Sequence, residues 1–233
     1  ILQKITPKMS QNSPSKIVIL LYNIFQLLGW TYLTYKSLES LIGGRLAVLS
    51  DPFFFQIVKV VQTSQYLDLL FSFLGLSSTK PIPSFVHVTG RNLVVWVAFP
   101  FALTSNYPLL ALIPWSVTDV IRFGNYINDS LSLNLNFLKV LRYNAFIILY
   151  PIGLTGEFTS AGDAKSNIEQ QKTDPNVNFC GIELPVKAVL VLQIFRLIAY
   201  PGLAYMYWHM LKLRSRFYQK EKLKSSGARA KSA

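Results

Sequence analysis

Residues 17–35 read IVILLYNIFQLLGWTYLTY, an apolar run without a single charged side chain. A transmembrane helix needs about 20 mostly apolar residues, because a rise of roughly 1.5 Å per residue must cross about 30 Å of hydrocarbon. The run meets that length. Lys4, Lys8 and Lys16 precede it, as in a signal sequence. It lacks a small-x-small cleavage site, however, and is too long for a simple signal core, so it reads as a retained membrane anchor.

Five further candidate spans follow outward from this one. They are Phe53–Leu74, carrying Lys59 and Asp68; Asn92–Trp115, the second clearest; Leu109–Ile127, carrying Asp119 and Arg122; Phe137–Phe158, carrying Lys139, Arg142 and Glu157; and Ala188–Leu211, with a single Arg196. Charges in the middle spans make sense if they face a shared polar cavity. Turn-rich stretches at 77–83 and 104–108 separate the runs, and Ser160–Pro185 is the longest polar loop. Strand patterning and fixed-period repeats are absent, and an open sheet could not span lipid with its edge amides unpaired. The expected fold is therefore all-α, a polytopic membrane protein built as a six-transmembrane-helix bundle. Its divisions are an N-terminal cytosolic segment at 1–16, a transmembrane domain at 17–211 and a basic cytosolic tail at 212–233. Six spans place both termini on one side, together with Lys80 and the Lys139/Arg142 end of the fifth span. The acidic loop falls opposite, so the positive-inside rule puts both ends in the cytosol.

Composition agrees. Of 233 residues, 51% are apolar and 15% charged, against roughly 25% charged in an average soluble domain. Much of the net +12 sits in Lys212, Arg214, Arg216, Lys220, Lys222, Lys224, Arg229 and Lys231, with Glu221 the only acid among them. Charge gathered at one end argues against a nucleic-acid-binding face, and no nucleic acid partner is expected. The simplest reading of the tail is a solvated end beside the membrane. The lone Cys180 excludes an internal disulfide, and His87 and His209 lack metal-ligand spacing. No metal, nucleotide loop or redox motif is expected, and no cofactor.

Ionisable groups at membrane depth are expensive and point to function. Tyr150 and Glu157 stand seven residues apart around Pro151, Gly153 and Gly156. On a continuous helix they share a face about 10.5 Å apart along the axis. A local bend at the proline and glycines would bring them together. The bland alternative is an interfacial tyrosine and a helix-end carboxylate. Asp119 and Arg122, spaced i, i+3, pair most simply with each other. Arg91 is expected to snorkel to the headgroups, and His87 to end a loop. Asp68 and Gln62 could line a cavity, as could Arg142, Tyr143 and Asn144 at the entry to the fifth span.

Four stretches carry a family resemblance: Tyr22-Asn23 in the first span; Gln62 to Gly75-Leu76; Trp115-Ser116 with Asp119 and Arg122-Phe123; and Arg142-Tyr143-Asn144 through Tyr150-Pro151-Ile152-Gly153 to Glu157. Together the chain resembles the very-long-chain (3R)-3-hydroxyacyl-CoA dehydratases of the protein-tyrosine-phosphatase-like A family, of fungal type. Departures are His87 and Gly90, where the family often has Gln and Ser, and Asp68 and Asp119 in place of Glu. A phosphatase is contradicted by the sequence, because the sixth residue after Cys180 is Val186 and not the arginine of a phosphatase loop. The resemblance implies a lyase of the endoplasmic reticulum membrane that converts (3R)-3-hydroxyacyl-CoA to trans-2-enoyl-CoA, the third step of fatty-acid elongation. It implies Tyr150 and Glu157 as catalytic residues, with Arg91, Asp119, Arg122, Arg142, Tyr143 and Asn144 as candidates for substrate binding. Acyl-CoA, membrane lipid, a condensing enzyme, a ketoacyl-CoA reductase and an enoyl-CoA reductase are the implied partners. The pantetheine arm is expected to thread into the bundle while Lys139, Arg142 or tail residues hold the phosphates outside. A non-catalytic membrane scaffold of the same fold is the alternative; a transporter would need paired broken helices in two related halves, and only one such block, besides Tyr200-Pro201-Gly202, stands out.

Overall fold

The structure, a computed structural model, describes residues 14–44, 48–76, 81–103 and 105–231. Lys4, Lys8, Lys80 and most of the 1–16 segment lie outside them. Helix α1 (Pro14–Ile42) contains the opening apolar run. Its inward face is polar as well as aromatic: Tyr22, Asn23, Gln26, Trp30, Leu33, Ser37 and Ser40 are buried. Its outward face carries Ile17, Val18, Leu21, Phe25 and Leu28, all exposed. A water-soluble helix shows the reverse distribution; apolar-out with amides inside is the pattern of a helix solvated by lipid. The inward amides are satisfied, Gln26 accepting from Trp30 Nε1 at 2.9 Å and donating to Ser64 Oγ at 2.7 Å.

The second expected span is broken. Helices α2 (Pro52–Ser64) and α3 (Tyr66–Phe73) meet at Gln65. The Asp51 carboxylate caps α2 by accepting from Phe53 N at 2.9 Å, with Pro52 in the first turn. The apolar run Asn92–Trp115 is not one helix either. It is divided among the end of α4 (Pro81–Leu93), a wide π-type turn at Val94–Ala98, a tight turn at Phe99–Phe101 and the start of α5 (Tyr107–Ser130). Pro100 removes a backbone donor within the run, and Pro108 opens α5 from its first turn.

Helix α6 (Asn136–Gln170) is continuous and runs well beyond the expected end at Phe158. Its 35 residues make about 52 Å, longer than the roughly 30 Å hydrocarbon layer. The first part of the expected polar loop is therefore helix. Ala161, Ala164 and Ile168 form its buried stripe, and Lys165 pairs with Glu169 at 3.4 Å. Strands, absent from the sequence expectation, occur as a small antiparallel hairpin of β1 (Asn176–Phe179) and β2 (Ile182–Lys187). Cys180 and Gly181 make its two-residue turn with φ of 54° and 86°, the left-handed pair that matches strand twist. Helix α7 (Ala188–Lys231) closes the fold without a break at residue 212.

α5 is central, with α1 on one side and α6 on the other. Gly156 allows the closest approach: a Cβ there would collide with the backbone of Leu110 and Ala111. α6 and α7 run antiparallel, joined by Tyr143 on Phe217, Tyr150 on Tyr207 and Phe158 under Arg196. α1 and α6 are each long and apolar enough to cross a membrane, and α7 makes a third if its two parts, bent by 41° across residues 200–203, count as one span. The architecture is that of a helical membrane protein.

Candidate active site

Tyr150 and Glu157 lie on one face of α6 and both are half-buried. α6 is unbroken at Pro151, so the pair stays nearly two turns apart, about 10.5 Å along the axis. The Tyr150 ring stacks on Tyr207 with centroids 5.6 Å apart and planes 28° off parallel. The Glu157 carboxylate is held from α5, where Trp115 Nε1 donates to its Oε1 at 2.7 Å. Gly153 faces that indole, and a Cβ there would meet Trp115 Cδ1 at 3.5 Å, an ordinary contact. The two groups are within electrostatic reach of each other.

Trp115 is itself sandwiched. Phe99 stacks on it at 5.8 Å, and the Arg91 guanidinium lies 4.8 Å from its ring centroid. Arg91 does not snorkel to the headgroups: it is 5% exposed, packed also against Trp30 and bonded to Asp119. Asp119 pulls it inward, because a buried carboxylate needs a cation and donors around it. Asp119 also accepts from Gln65 Nε2 at 3.0 Å and contacts Arg122 Nε at 3.2 Å. The expected Asp119–Arg122 pair therefore exists as part of a chain, since Arg122 reaches on to Asp68 at 3.1 Å. Asp68 and Gln65 are brought to this network from the broken second span, and His87 sits near it on α4, not at a loop end. Arg91 acts electrostatically on both Tyr150 and Glu157. Its Nε has no hydrogen-bond partner among the described residues.

Arg142, Tyr143 and Asn144 form a second group at the start of α6. Tyr143 stacks on Phe217 at 4.4 Å, and Asn144 bonds Tyr218 and Arg214 of α7. Lys139 is paired with Asp129 at 3.2 Å. A cavity of about 250 Å³ lies elsewhere, between Lys59, Trp96, Phe101 and the hairpin, and neither Tyr150 nor Glu157 lines it. Trp115 is the site residue that side-chain chemistry in the sequence did not single out; 42 positions separate it from the carboxylate it holds.

Comparison with known proteins adds a family. Residues 62–220 match the family model described as protein tyrosine phosphatase-like protein, PTPLA. The chain is 28% identical over 209 residues to a very-long-chain (3R)-3-hydroxyacyl-CoA dehydratase of Caenorhabditis elegans, covering 84% of this chain and 91% of the relative. It is 36% identical over 167 residues to a probable enzyme of that name from Schizosaccharomyces pombe, covering 68% and 72%. It is 24% identical over 215 residues to the Arabidopsis thaliana dehydratase, covering 89% and 95%. No solved structure matches the chain.

Proposed function

The chain belongs to the protein tyrosine phosphatase-like family, PTPLA, and we propose that it is a membrane-embedded lyase that dehydrates (3R)-3-hydroxyacyl-CoA to trans-2-enoyl-CoA. The observation that carries this reading is the Glu157 carboxyl, fixed by Trp115 on the same face of α6 as the Tyr150 phenol. Dehydration needs two proton-handling groups on one substrate edge, one at C2 and one at the C3 hydroxyl. Glu157 takes the C2 proton; the C2–H electron pair becomes the C2=C3 bond as the C3–O bond breaks. Tyr150 gives its proton to the departing hydroxyl, which leaves as water; Glu157 then gives up its proton to water and Tyr150 takes one from water, which closes the cycle. Because Oε1 is occupied by Trp115, Oε2 is the oxygen left for the substrate. Arg91 supplies fixed positive charge where the thioester becomes enolate-like, in surroundings where such charge acts strongly.

The same reading extends to architecture. Residues 17–211 form the catalytic unit, crossing the membrane six times with α2–α3 and α4 with its turns completing the bundle. Both termini lie in the cytosol of the endoplasmic reticulum membrane, and the reaction is the third of the elongation cycle. A ketoacyl-CoA reductase then supplies its substrate, an enoyl-CoA reductase consumes its product, and a condensing enzyme completes the set.

The test is direct. Purified full-length protein in detergent is given a 3-hydroxyacyl-CoA and the enoyl product is measured. Tyr150→Phe and Glu157→Gln each abolish turnover while circular dichroism and melting stay at the wild-type values. Undiminished turnover in both variants defeats the site, and no turnover by the wild type favours the scaffold reading.

A further inference from the structure

The cavity of about 250 Å³ between α2 and the hairpin has a lysine in its wall. Lys59 Nζ lies 4.5 Å from the ring centroid of Phe55 and 4.7 Å from that of Trp96. Among the described residues it takes part in no ion pair, and no carboxylate acts on it electrostatically. Arg91 and Arg122, by contrast, are each held by carboxylates. The acids of the hairpin region are engaged elsewhere: Glu183 Oε1 accepts from Asn176 Nδ2 at 3.0 Å, and Asp174 Oδ1 from Val189 N at 3.2 Å. Ring faces hold an ammonium in place without cancelling its charge. A half-buried cation in an apolar segment is costly and calls for an anion.

The rest of the wall is fixed and offers a donor. Asn178 Oδ1 accepts from Gly181 N at 3.1 Å, so Nδ2 is the end of that amide left to donate. Ala188 N closes the base of the hairpin on Pro175 O at 3.0 Å, and the Phe101 carbonyl is held by Asn167 Nδ2 at 2.7 Å. Three ammonium hydrogens and an amide, with no competing acid, suit the oxygens of a phosphate. The volume is smaller than the roughly 300–1,000 Å³ that encloses a whole small molecule, so it has room for a headgroup phosphate and none for acyl tails. The surface beside it is apolar and outward: Phe53 and Val60 on α2, and Ile182, Leu184 and Val186 on β2, are all exposed. Acyl tails could lie there, as on any lipid-facing surface.

We propose that this cavity binds the phosphate of an anionic phospholipid, Lys59 pairing with its oxygens and Asn178 donating to them, with the tails along the apolar faces of α2 and β2. The site is separate from Tyr150 and Glu157 and does not depend on the dehydratase reading. A free phosphate presents the same chemistry, so the experiment separates the two sources.

Full-length protein in neutral detergent is titrated with dimyristoylphosphatidic acid in mixed micelles, with dimyristoylglycerol as the phosphate-free probe and inorganic phosphate as the soluble one. Binding is read as the rise in melting temperature with probe concentration. The wild type is stabilised by phosphatidic acid and not by the diacylglycerol. Lys59→Gln weakens the apparent affinity about tenfold or more, the size expected for a lost charge-assisted contact. Lys59→Arg recovers part of it, and Lys36→Gln, in the exposed Lys36–Glu39 pair, leaves it unchanged. Equal binding of phosphatidic acid by the wild type and Lys59→Gln overturns the proposal, as does equal stabilisation by the diacylglycerol. Stabilisation by inorganic phosphate with none by phosphatidic acid overturns the lipid as the source. One arm needs no variant: acetylation of Lys59 in the wild type, read by peptide mass, slows when phosphatidic acid is present, while that of Lys36 does not. Absence of that protection overturns the proposal even if Lys59→Gln fails to fold.

Discussion

Replacing Gly156 by alanine tests how closely α5 and α6 must approach for catalysis. The added Cβ falls well inside contact distance of Leu110 and Ala111 backbone, which cannot rotate away as a side chain would. Restoring an ordinary separation of about 3.4 Å requires the two helices to part by roughly an ångström, an overpacking strain of about 1–3 kcal/mol. The same displacement acts on the bond one residue along, where Trp115 Nε1 and Glu157 Oε1 are 2.7 Å apart. Stretched by about an ångström it is no longer a hydrogen bond, and a misplacement of that size costs on the order of 10²-fold in rate. Gly156→Ala is therefore expected to lower the melting temperature in detergent and to reduce kcat for dehydration by about 10- to 100-fold. Gly124→Ala on α5 is the control, because its Cβ meets open space and alanine improves helix propensity by roughly 1 kcal/mol. It should match or exceed the wild-type melting temperature. Wild-type kcat and melting in Gly156→Ala would refute the close-packing argument.

Trp115→Phe keeps a ring between Phe99 and Arg91 but removes the N–H that holds Glu157; kcat should fall about tenfold or more, from the worth of a bond to a charged group, with KM little changed, and an unchanged kcat would dismiss the positioning role. Asp119→Asn strips the carboxylate from between Arg91 and Arg122, and breaking a buried pair costs about 3–5 kcal/mol, so detergent melting should drop sharply; Glu39→Gln in the exposed Lys36–Glu39 pair should leave it unmoved. Burial pushes the Cys180 thiol up, which lowers the thiolate fraction near neutrality. Maleimide labelling should thus be slower than for free cysteine at pH 7–8 and accelerate as pH rises. In sealed microsomes an impermeant maleimide should reach Cys180 only after the vesicles are opened; labelling from outside would reverse the orientation.

The long elements were readable because their signal is one-dimensional. α1 and the Tyr150–Glu157 body of α6 are unbroken apolar runs, and hydropathy reports such runs directly. The Asn92–Trp115 run misled for the same reason: hydropathy does not register that Pro100 and Pro108 divide it. The extension of α6 carried a signal in Ala161, Ala164 and Ile168, whose spacing is helical, but its polar composition read as loop. The hairpin turns on Cys180-Gly181 rather than Asn-Gly, so its strongest local cue was missing. For the site, Tyr150 and Glu157 stood out as costly groups in a greasy segment. Arg91 was named as a candidate for substrate binding but was expected at the headgroups, because only the folded chain shows Asp119 waiting across 28 positions of sequence. Trp115 has no titratable group at all, and its importance lies wholly in what it touches.

Tyr143, Tyr150 and Glu157 recur every seven residues along one uninterrupted rod. On such a rod each inserted residue turns everything on one side of it by about 100° and pushes it along by 1.5 Å. A single addition between Tyr143 and Tyr150 would swing the end that carries the Tyr143–Phe217 stack about a quarter-circle out of phase with Tyr150 and Glu157, although every side chain kept its chemistry. Spelling can drift in this segment with graded losses; its length tolerates no such drift.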